Sequence, residues 1–368
     1  MYIYNVNIKV VAFGILRALA IVAGVVLLLW FLYKIQALLL YIGIAAVISL
    51  IGRPIIIFLK DKVHLKNTVA AIITLCIAIG AFCLLAYIFV PIIIEESKNI
   101  QDIDFNSVKK DLNELNIQAS DYLGVEQIDL VEAVKRTEYV KNFNTEVVPS
   151  FVDIFFGNVG NVIIGVFSVL FISFFLLKEE DLINHSVTVF AKSGTEHKYL
   201  KTLNKIRELL SRYFTGLLFQ ILILTIFYTV LLLFFDVENV IAIAMICAFL
   251  NIVPYLGPML GMVLMLLVVT SNNLGADFSS ELLPQLTYIF IGYSIAQLFD
   301  NLITQPIIFG KSVRSHPLEI FLVILIGGFV FGVAGMILAV PTYTALKVIS
   351  KEFMSEYKIV KRLTKDLY

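Results

Sequence analysis

Charged residues are scarce in this chain of 368 residues, where they account for 15% of the sequence. Ordinary soluble domains contain about 25% charged and about 45–50% apolar residues, whereas 60% of this chain is hydrophobic. A water-soluble globule could not bury so much apolar surface, so the composition predicts a protein surrounded by lipid. The 28 basic and 28 acidic residues cancel, which argues against binding to nucleic acid.

Cysteine and histidine are also few, and neither forms a recognisable motif. Cys76, Cys83 and Cys247 lie within apolar runs without CxxC spacing, and the four histidines are scattered between such runs. The sequence has no HExxH and no GxSxG motif. We therefore expect no metal and no cofactor, and an enzyme is the least favoured class.

Long apolar runs dominate what is present. A transmembrane helix requires about 20 apolar residues, and six uninterrupted runs qualify, at 10–33, 35–52, 67–94, 152–177, 213–235 and 285–305. Two more runs, 240–270 and 318–349, are broken by Gly or Pro, and each is either a bent crossing or a re-entrant hairpin. The sequence predicts an all-α polytopic membrane protein with six full transmembrane helices and two interrupted segments, or eight transmembrane segments if both are counted.

The distribution of Lys and Arg indicates the orientation, because short cytoplasmic loops collect positive charge. The loops after the second and fourth runs are rich in Lys and Arg, which places both termini in the cytoplasm and residues 95–150 outside. The loop 271–284 contains Asp277 and Glu281 without a basic residue, whereas 307–317 contains Lys311 and Arg314. Full crossings would place the acidic loop 271–284 in the cytoplasm and the basic loop 307–317 outside, against this rule, so hairpins are favoured.

Two hairpins that follow helices 213–235 and 285–305 would open to opposite sides, which describes an inverted repeat. Secondary transporters commonly have such repeats, with the binding site between their interrupted segments. The predicted parts are N-terminal transmembrane helices (1–94), an extracytoplasmic helical subdomain (95–150), a transmembrane helix (151–178), a cytoplasmic amphipathic segment (179–212), a transport core with the inverted repeat (213–350) and a basic cytoplasmic tail (351–368).

A polar stripe interrupts the apolar helix 285–305. Gln297, Asp300, Asn301 and Thr304 have the spacing of one helix face, extended by Gln305. Ionisable groups in hydrocarbon are costly, so Asp300 is the candidate to bind a cation or carry a proton, with the amides binding a polar substrate. The alternative is a structural aspartate whose neighbouring amides join helices by hydrogen bonds.

The first interrupted segment contains Asn251, Pro254, Tyr255, Gly257 and Pro258. Such a break frees backbone carbonyls and exposes helix ends, which supply partial charges to an ion or a polar ligand. A proline kink without a ligand is the structural alternative.

These residues resemble the autoinducer-2 exporter family of bacterial membrane proteins. The matching motifs are the run Asn251 to Pro258, Asp300-Asn301 with Pro306, Gly310 and His316-Pro317, and the series Gly327-Gly328, Gly332, Gly335 and Ala339-Val340-Pro341. The similarity in hydropathy extends over nearly the whole chain. One departure is Leu217 after Gly216, where many members have Gln.

The resemblance implies a multi-pass transporter of the bacterial inner membrane that assembles as a homopentamer, with a pathway in each protomer and elevator-like hairpins. It implies export of a small polar molecule, such as the signal autoinducer-2, or exchange of monovalent cations for protons. Membrane lipid is the expected surrounding partner. By the family pattern, substrate or ion binding is expected at Asn251, Pro254, Tyr255, Gly257, Asp300, Asn301 and Pro306. The helix break and the polar stripe add Pro258, Gln297, Thr304 and Gln305 as binding candidates, and gating is expected at Gly327, Gly328, Gly332, Gly335 and Pro341. A passive channel remains a competing hypothesis.

Overall fold

The structure is a computed structural model that describes residues 8–102, scattered positions between 110 and 124, and residues 159–364 apart from gaps at 190, 192–193, 236, 238, 274–275 and 310–315. The described residues contain helices and no strand. Gly310, the start of the fourth predicted span and most of region 95–150 lie outside them. The prediction of an all-α polytopic membrane protein is confirmed.

The N-terminal part consists of four helices, which are α1 (Ile8–Lys34), α2 (Gln36–Asp61), α3 (Asn67–Asp102) and α4 (Val159–Lys178). Helices α2, α3 and α4 pack around a small core of Ile56, Ala71, Leu75 and Leu177. Gly52 permits this close approach, because a Cβ there would lie 2.6 Å from the Thr74 methyl group. In α1, by contrast, none of the described apolar side chains is buried against the rest of the chain.

The remaining elements form the C-terminal part. They are α5 (Glu180–Val189), α6 (Glu196–Leu233), α7 (Val240–Leu250), α8 (Leu256–Asn272), α9 (Leu283–Phe299), α10 (Gln305–Phe309), α11 (Pro317–Phe353) and α12 (Lys358–Leu363). A single π-helical turn flanks α9 at each end, Phe278–Leu282 before it and Asp300–Thr304 after it. Asp277 caps the first turn by accepting the backbone N–H of Ser280, which lowers the pKa of this exposed carboxyl.

Helix α6 runs without interruption across the predicted boundary between 212 and 213. Its 38 residues correspond to about 57 Å at 1.5 Å per residue. The apolar face of its N-terminal part packs on protein, because Ile206 and Leu209 contact Val348 of α11. Residues 196–212 of the predicted amphipathic segment and the following span are therefore two stretches of one helix, whereas residues 180–189 form the separate helix α5.

The first interrupted segment folds back on itself. Helices α7 and α8 are antiparallel, since a Cβ at Gly257 would overlap the Leu250 carbonyl and the Cys247 thiol lies 3.5 Å from the Gly261 carbonyl. We call α7 and α8, with the turn 251–255 between them, the first hairpin. Seventeen residues in α8 and eleven in α7 make arms of about 26 and 17 Å, so the chain returns to the side from which it entered.

The second interrupted segment, α11, also doubles back. Gly332 has φ 62° and ψ −146°, which is not helical backbone, and it separates the arms 317–331 and 333–353. The arms lie side by side, because a Cβ at Gly335 would overlap the Gly327 carbonyl and Tyr343 donates a 2.9 Å hydrogen bond to Glu319. We call these two arms the second hairpin.

The two hairpins pack along different halves of α6. Leu224, Tyr228 and Leu232 form a buried cluster with the first hairpin and α9, and Tyr213, Phe214 and Leu217 form another with the second hairpin. Helices α6 and α9 are antiparallel, because Gln220 contacts Asp300 whereas Phe235 stacks near Tyr288. Each helix is followed by its hairpin, so the two units run in opposite directions, as expected for an inverted repeat.

Six of the described helices are long and apolar enough to cross a membrane by length and composition, and they include α1, α2, α3, α6 and α9 with its π turns. The sixth is α11, although its reversal at Gly332 makes it two arms. Numerous large apolar side chains on these helices are exposed in the isolated chain. Such a surface is stable only when it is covered by lipid or by other apolar protein.

Candidate functional site

Two groups of buried polar side chains lie where α6, the first hairpin and α9 meet. The first group, which we call the amide–tyrosine network, consists of Tyr228, Asn251, Tyr293 and Gln297. The second, which we call the carboxylate site, consists of Gln220, Asp300 and Gln305. Gln297 and Asp300 are three residues apart on one helical segment, so the groups are neighbours along α9.

Gln297 is the centre of the amide–tyrosine network. Its Nε2 lies 2.7 Å from the Tyr228 hydroxyl, 2.9 Å from Asn251 Oδ1 and 3.3 Å from the Tyr293 hydroxyl. An amide nitrogen has two hydrogens, so it cannot donate fully to three acceptors at once. The buried Oε1 atom of Gln297 has no hydrogen-bond partner, which leaves an acceptor for an incoming hydroxyl or amine.

The network fixes the tip of the first hairpin against α9. Asn251 donates to the Cys247 carbonyl over 2.9 Å, and the Tyr293 hydroxyl donates to the Pro258 carbonyl over 2.9 Å. The rings of Tyr228 and Tyr293 are stacked, with centroids 4.8 Å apart and an interplanar angle of 4°. Carbonyls freed by the helix break are thus partly satisfied by side chains of α9 and of the hairpin itself.

Asp300 lies in the interior of the chain, with 0% of its surface exposed. Its Oδ2 atom accepts hydrogen bonds from Gln220 Nε2 at 2.7 Å and from Gln305 Nε2 at 2.9 Å. No Lys, Arg or His among the described residues forms an ion pair with Asp300. A carboxylate that is buried without a counter-charge is costly, so this site favours binding of a proton or a cation.

Two buried oxygen atoms near the end of α9 have no hydrogen-bond partner. They are Asp300 Oδ1 and Thr304 Oγ1. Carboxylate, hydroxyl and carbonyl oxygens are the ligands that hard cations prefer. Among the described residues, no three His, Cys, Asp or Glu side chains gather into a group that would hold a metal ion. The oxygen set therefore suits a proton or a monovalent cation better than a transition metal.

The π turn changes the predicted polar stripe. The backbone N–H of Gln305 bonds to the carbonyl of Asp300 five residues earlier, so this turn is wider than an α-helical turn. Gln297, Asp300 and Thr304 are buried as the stripe predicts, but the Asn301 side chain is exposed. Asn301 joins the carboxylate site only through its Oδ1 atom, which accepts from Gln305 over 2.9 Å.

The turn of the first hairpin holds the other predicted residues. Tyr255 has φ 67°, which is unusual for a residue with a large side chain, and its half-exposed ring meets Phe321 of the second hairpin edge to face. The Pro254 carbonyl accepts the backbone N–H of Leu256 over 2.8 Å. Tyr255 therefore connects the two hairpins, and in the described part of the chain neither buried polar group has a hydrogen bond to its side chain.

The residues predicted to act in gating occupy the second hairpin. Gly327 and Gly335 meet between its arms, Gly328 meets Met336, and Gly332 forms the reversal. Pro341 lies buried within the second arm, and Pro306 is exposed beyond the π turn. The structure thus gives Gly327, Gly328 and Gly335 a packing role and Gly332 the role of a turn, and the prediction that they act in gating stays a prediction.

Three residues of the site are absent from the sequence prediction. Gln220, Tyr228 and Tyr293 lie within long, predominantly apolar runs, and tyrosine in such a run usually indicates packing. A glutamine inside the run 213–235 was the available signal. Leu217, at the position where the resemblance leads us to expect Gln, is buried against the second hairpin, whereas Gln220 on the same face reaches Asp300.

Comparisons with known proteins agree with this architecture. A family model described as "AI-2E family transporter" matches residues 19–355. "Putative transport protein YueF" of Bacillus subtilis strain 168 is 25% identical over 314 residues, which cover 83% of this chain and 81% of that protein. "Putative transport protein YrrI" of the same organism is 28% identical over 184 residues, or 50% of each chain.

Proposed function

The chain belongs to the AI-2E transporter family, and from this premise we propose that it is a secondary transporter that couples the movement of a small polar molecule to a proton or a monovalent cation bound at Asp300. A single observation carries the proposal. Asp300 is completely buried, one of its oxygens is held by two amide donors and the other has no partner.

The carboxylate site has the properties that a coupling group requires. Binding a proton or a cation would remove the cost of an isolated buried charge, so the loaded and empty states differ in energy. The two amides, Gln220 and Gln305, belong to different parts of the chain, and a movement of α6 relative to α9 would break one of their hydrogen bonds. Ion binding and helix position would then depend on each other.

The amide–tyrosine network is the proposed cargo site. It offers the unpartnered Gln297 Oε1 atom, two tyrosine hydroxyls and the carboxamide of Asn251 within one buried region. These groups suit a small hydroxylated molecule, and autoinducer-2 is the first cargo to test. We further propose an elevator-like movement of the hairpins in a homopentamer of the bacterial inner membrane, as the family resemblance implies, with both termini in the cytoplasm, as the distribution of Lys and Arg predicts.

A second candidate is exchange of monovalent cations for protons without an organic cargo. It is favoured by the two unpartnered oxygens, Asp300 Oδ1 and Thr304 Oγ1, which lie on the same π turn. In that case the cation and the proton would compete for Asp300. A passive channel would use the same polar groups as a pore lining, with flux that follows only the gradient of the permeating solute.

The test uses purified full-length protein in proteoliposomes that contain a pH-sensitive dye. Labelled autoinducer-2 is supplied under an imposed gradient of protons, Na⁺ or Li⁺, and uptake and internal pH are recorded together. Coupled transport predicts that one gradient drives accumulation of the cargo against its own gradient. Proton movement in response to Na⁺ or Li⁺ alone would establish the antiporter. Single-channel currents in planar bilayers that follow the gradient of the permeating ion and need no counter-gradient would establish the channel.

Asp300→Asn tests the coupling role, because asparagine is nearly the same size and cannot hold a negative charge. We expect gradient-driven accumulation to fall to the background of empty liposomes, while the protein keeps its elution volume in detergent. The matched control is Glu281→Gln, which neutralises an exposed acid before α9 and should transport as the unmodified protein does. Unchanged gradient-driven flux in Asp300→Asn would refute the coupling role.

A further inference from the structure

A cleft between α2, α4 and α6 lies apart from the site described above. Its volume is about 300 Å³, at the lower end of the range for small-molecule pockets. Its walls are almost entirely aliphatic, and the side chains that form most of them are Ile42, Ala46, Leu177, Leu203, Ile206 and Leu210. Such a lining accepts a hydrocarbon chain and repels polar solutes.

Two arginines give the cleft a positively charged edge. Arg53 of α2 and Arg207 of α6 both line it, and none of its lining residues is acidic. Arg207 donates a 2.9 Å hydrogen bond to Asn184. The Nη1 atom of Arg53 is buried without a hydrogen-bond partner. A buried guanidinium N–H without an acceptor is costly, so the cleft calls for an oxygen ligand beside Arg53.

The acid that adjoins Arg207 in the chain does not supply that oxygen. Glu208 follows Arg207 on α6, but its carboxylate pairs with Lys205 at 2.9 Å and with Arg212 at 3.7 Å. The local charge thus remains positive next to an aliphatic wall. A ligand that satisfies both features must carry an anionic group at one end and a hydrocarbon chain at the other.

We propose that this cleft binds an anionic phospholipid, with an acyl chain between α2, α4 and α6 and the phosphate beside Arg53. The proposal does not depend on what the protein transports. Basic pockets between membrane helices are suited to acidic lipid headgroups, because the guanidinium offers several donors in a fixed plane. A soluble phosphate ion would use the arginines but would leave the aliphatic walls without a partner.

The test measures which lipid stays with the protein. Full-length protein is reconstituted in vesicles of equal parts phosphatidylglycerol and phosphatidylcholine, extracted in mild detergent, and its retained lipid is quantified by mass spectrometry. We expect phosphatidylglycerol to be enriched. Arg53→Gln should lower the enrichment about fivefold, the change expected for one basic contact with an acidic lipid, whereas Lys62→Gln, which removes an exposed charge near the end of α2, should leave it unchanged.

A second variant tests the hydrocarbon part of the cleft and does not alter charge. Ala46→Phe should fill the cleft and reduce retained phosphatidylglycerol, and its elution volume reports whether it folds. Millimolar inorganic phosphate should not displace the lipid. The proposal would be overturned if the two lipids were retained equally, or if Arg53→Gln and Lys62→Gln had equal effects on retention. It would also be overturned if Ala46→Phe had no effect, or if inorganic phosphate displaced the lipid.

Discussion

The side-chain amide of Gln220 on α6 donates a hydrogen bond to the Asp300 carboxylate on α9 over 2.7 Å, although the two residues are 80 positions apart in the chain. Both side chains are buried, so neither has water as a ready alternative partner. This contact joins the two units of the inverted repeat. It is also the point at which the state of Asp300 can influence the position of α6.

The Gln220 contact should appear as an energetic coupling. Gln220→Leu removes one of two donors to Asp300, and we expect it to lower the free energy of unfolding by about 1–2 kcal/mol. Gln220→Leu should lower the free energy of unfolding by less when Asp300 is already Leu, because no carboxylate then requires a donor. A double-mutant cycle in mixed micelles measures this coupling energy between the two positions, which should exceed about 0.5 kcal/mol. Ser294→Ala, on an exposed position of α9, is the control, and purely additive effects of the pair would contradict the contact.

Gln297→Leu should affect cargo binding more than ion coupling. The change removes the donor that Tyr228 and Asn251 share, and we expect the KM for the cargo to rise about tenfold, which corresponds to about 1.4 kcal/mol. The driving ion should remain the same. Gln285→Leu is the matched control on the same helix, because its amide makes only a 3.4 Å hydrogen bond to the Phe235 carbonyl. A similar rise in KM for Gln285→Leu would assign the effect to the stability of α9.

Gly335 should be intolerant of any side chain. A Cβ would overlap the Gly327 carbonyl in the opposite arm, and backbone cannot move aside as a flexible side chain does. Gly335→Ala should therefore cost about 1–3 kcal/mol of stability. Gly80→Ala in α3 provides the contrast, because nothing lies within 4 Å of a Cβ there and the substitution should stabilise by up to about 1 kcal/mol. Thermal unfolding in detergent compares the Tm values of the two variants. Equal Tm values would exclude close packing of the arms of the second hairpin.

The orientation of the hairpins predicts opposite labelling of two loops. Cys76, Cys83 and Cys247 are first replaced by Ala, and single cysteines are then introduced as Ser279→Cys or Ser312→Cys. An impermeant maleimide added to intact cells should label position 279, in the acidic loop, and should label position 312 only after the membrane is opened. Because both interrupted segments fold back as hairpins, the reverse pattern would mean that the protein is inserted with the opposite orientation, and it would contradict the predicted sidedness of the repeat.

Hydrophobic pattern and glycine placement were sufficient for much of the fold. The breaks at Pro254 and Gly257 indicated the first hairpin, and the glycines around Gly332 indicated the second, because Gly and Pro weaken a helix most where several of them cluster. A single one can be tolerated, as Pro54 is within α2. The continuity of α6 was not predictable in the same way. Charge decreases along its sequence, which contains no Pro and a single Gly, Gly216, that does not interrupt the helix, so one helix has the composition of two segments.

The candidate site was partly predictable. Asp300 and Gln297 stand out because polar residues are rare in apolar runs, whatever their partners. Asn301 is exposed because this segment forms a π turn, and no local sequence pattern predicts such a turn. The contributions of Gln220, Tyr228 and Tyr293 depend on which helices become neighbours, and that is a property of the tertiary fold.

Helix α6 joins regions that would otherwise be independent. Arg207 at the arginine-edged cleft and Gln220 at the carboxylate site are separated by thirteen residues of unbroken helix, or about 20 Å, and Tyr228 lies two turns further along. An unbroken helix moves largely as a rigid body, so a displacement at one end of α6 also displaces the other end. If Asp300 binds an ion and the cleft binds a lipid, as proposed, both events act on the same helix, and a change in lipid composition should alter the ion dependence of transport without changing the residues of the site.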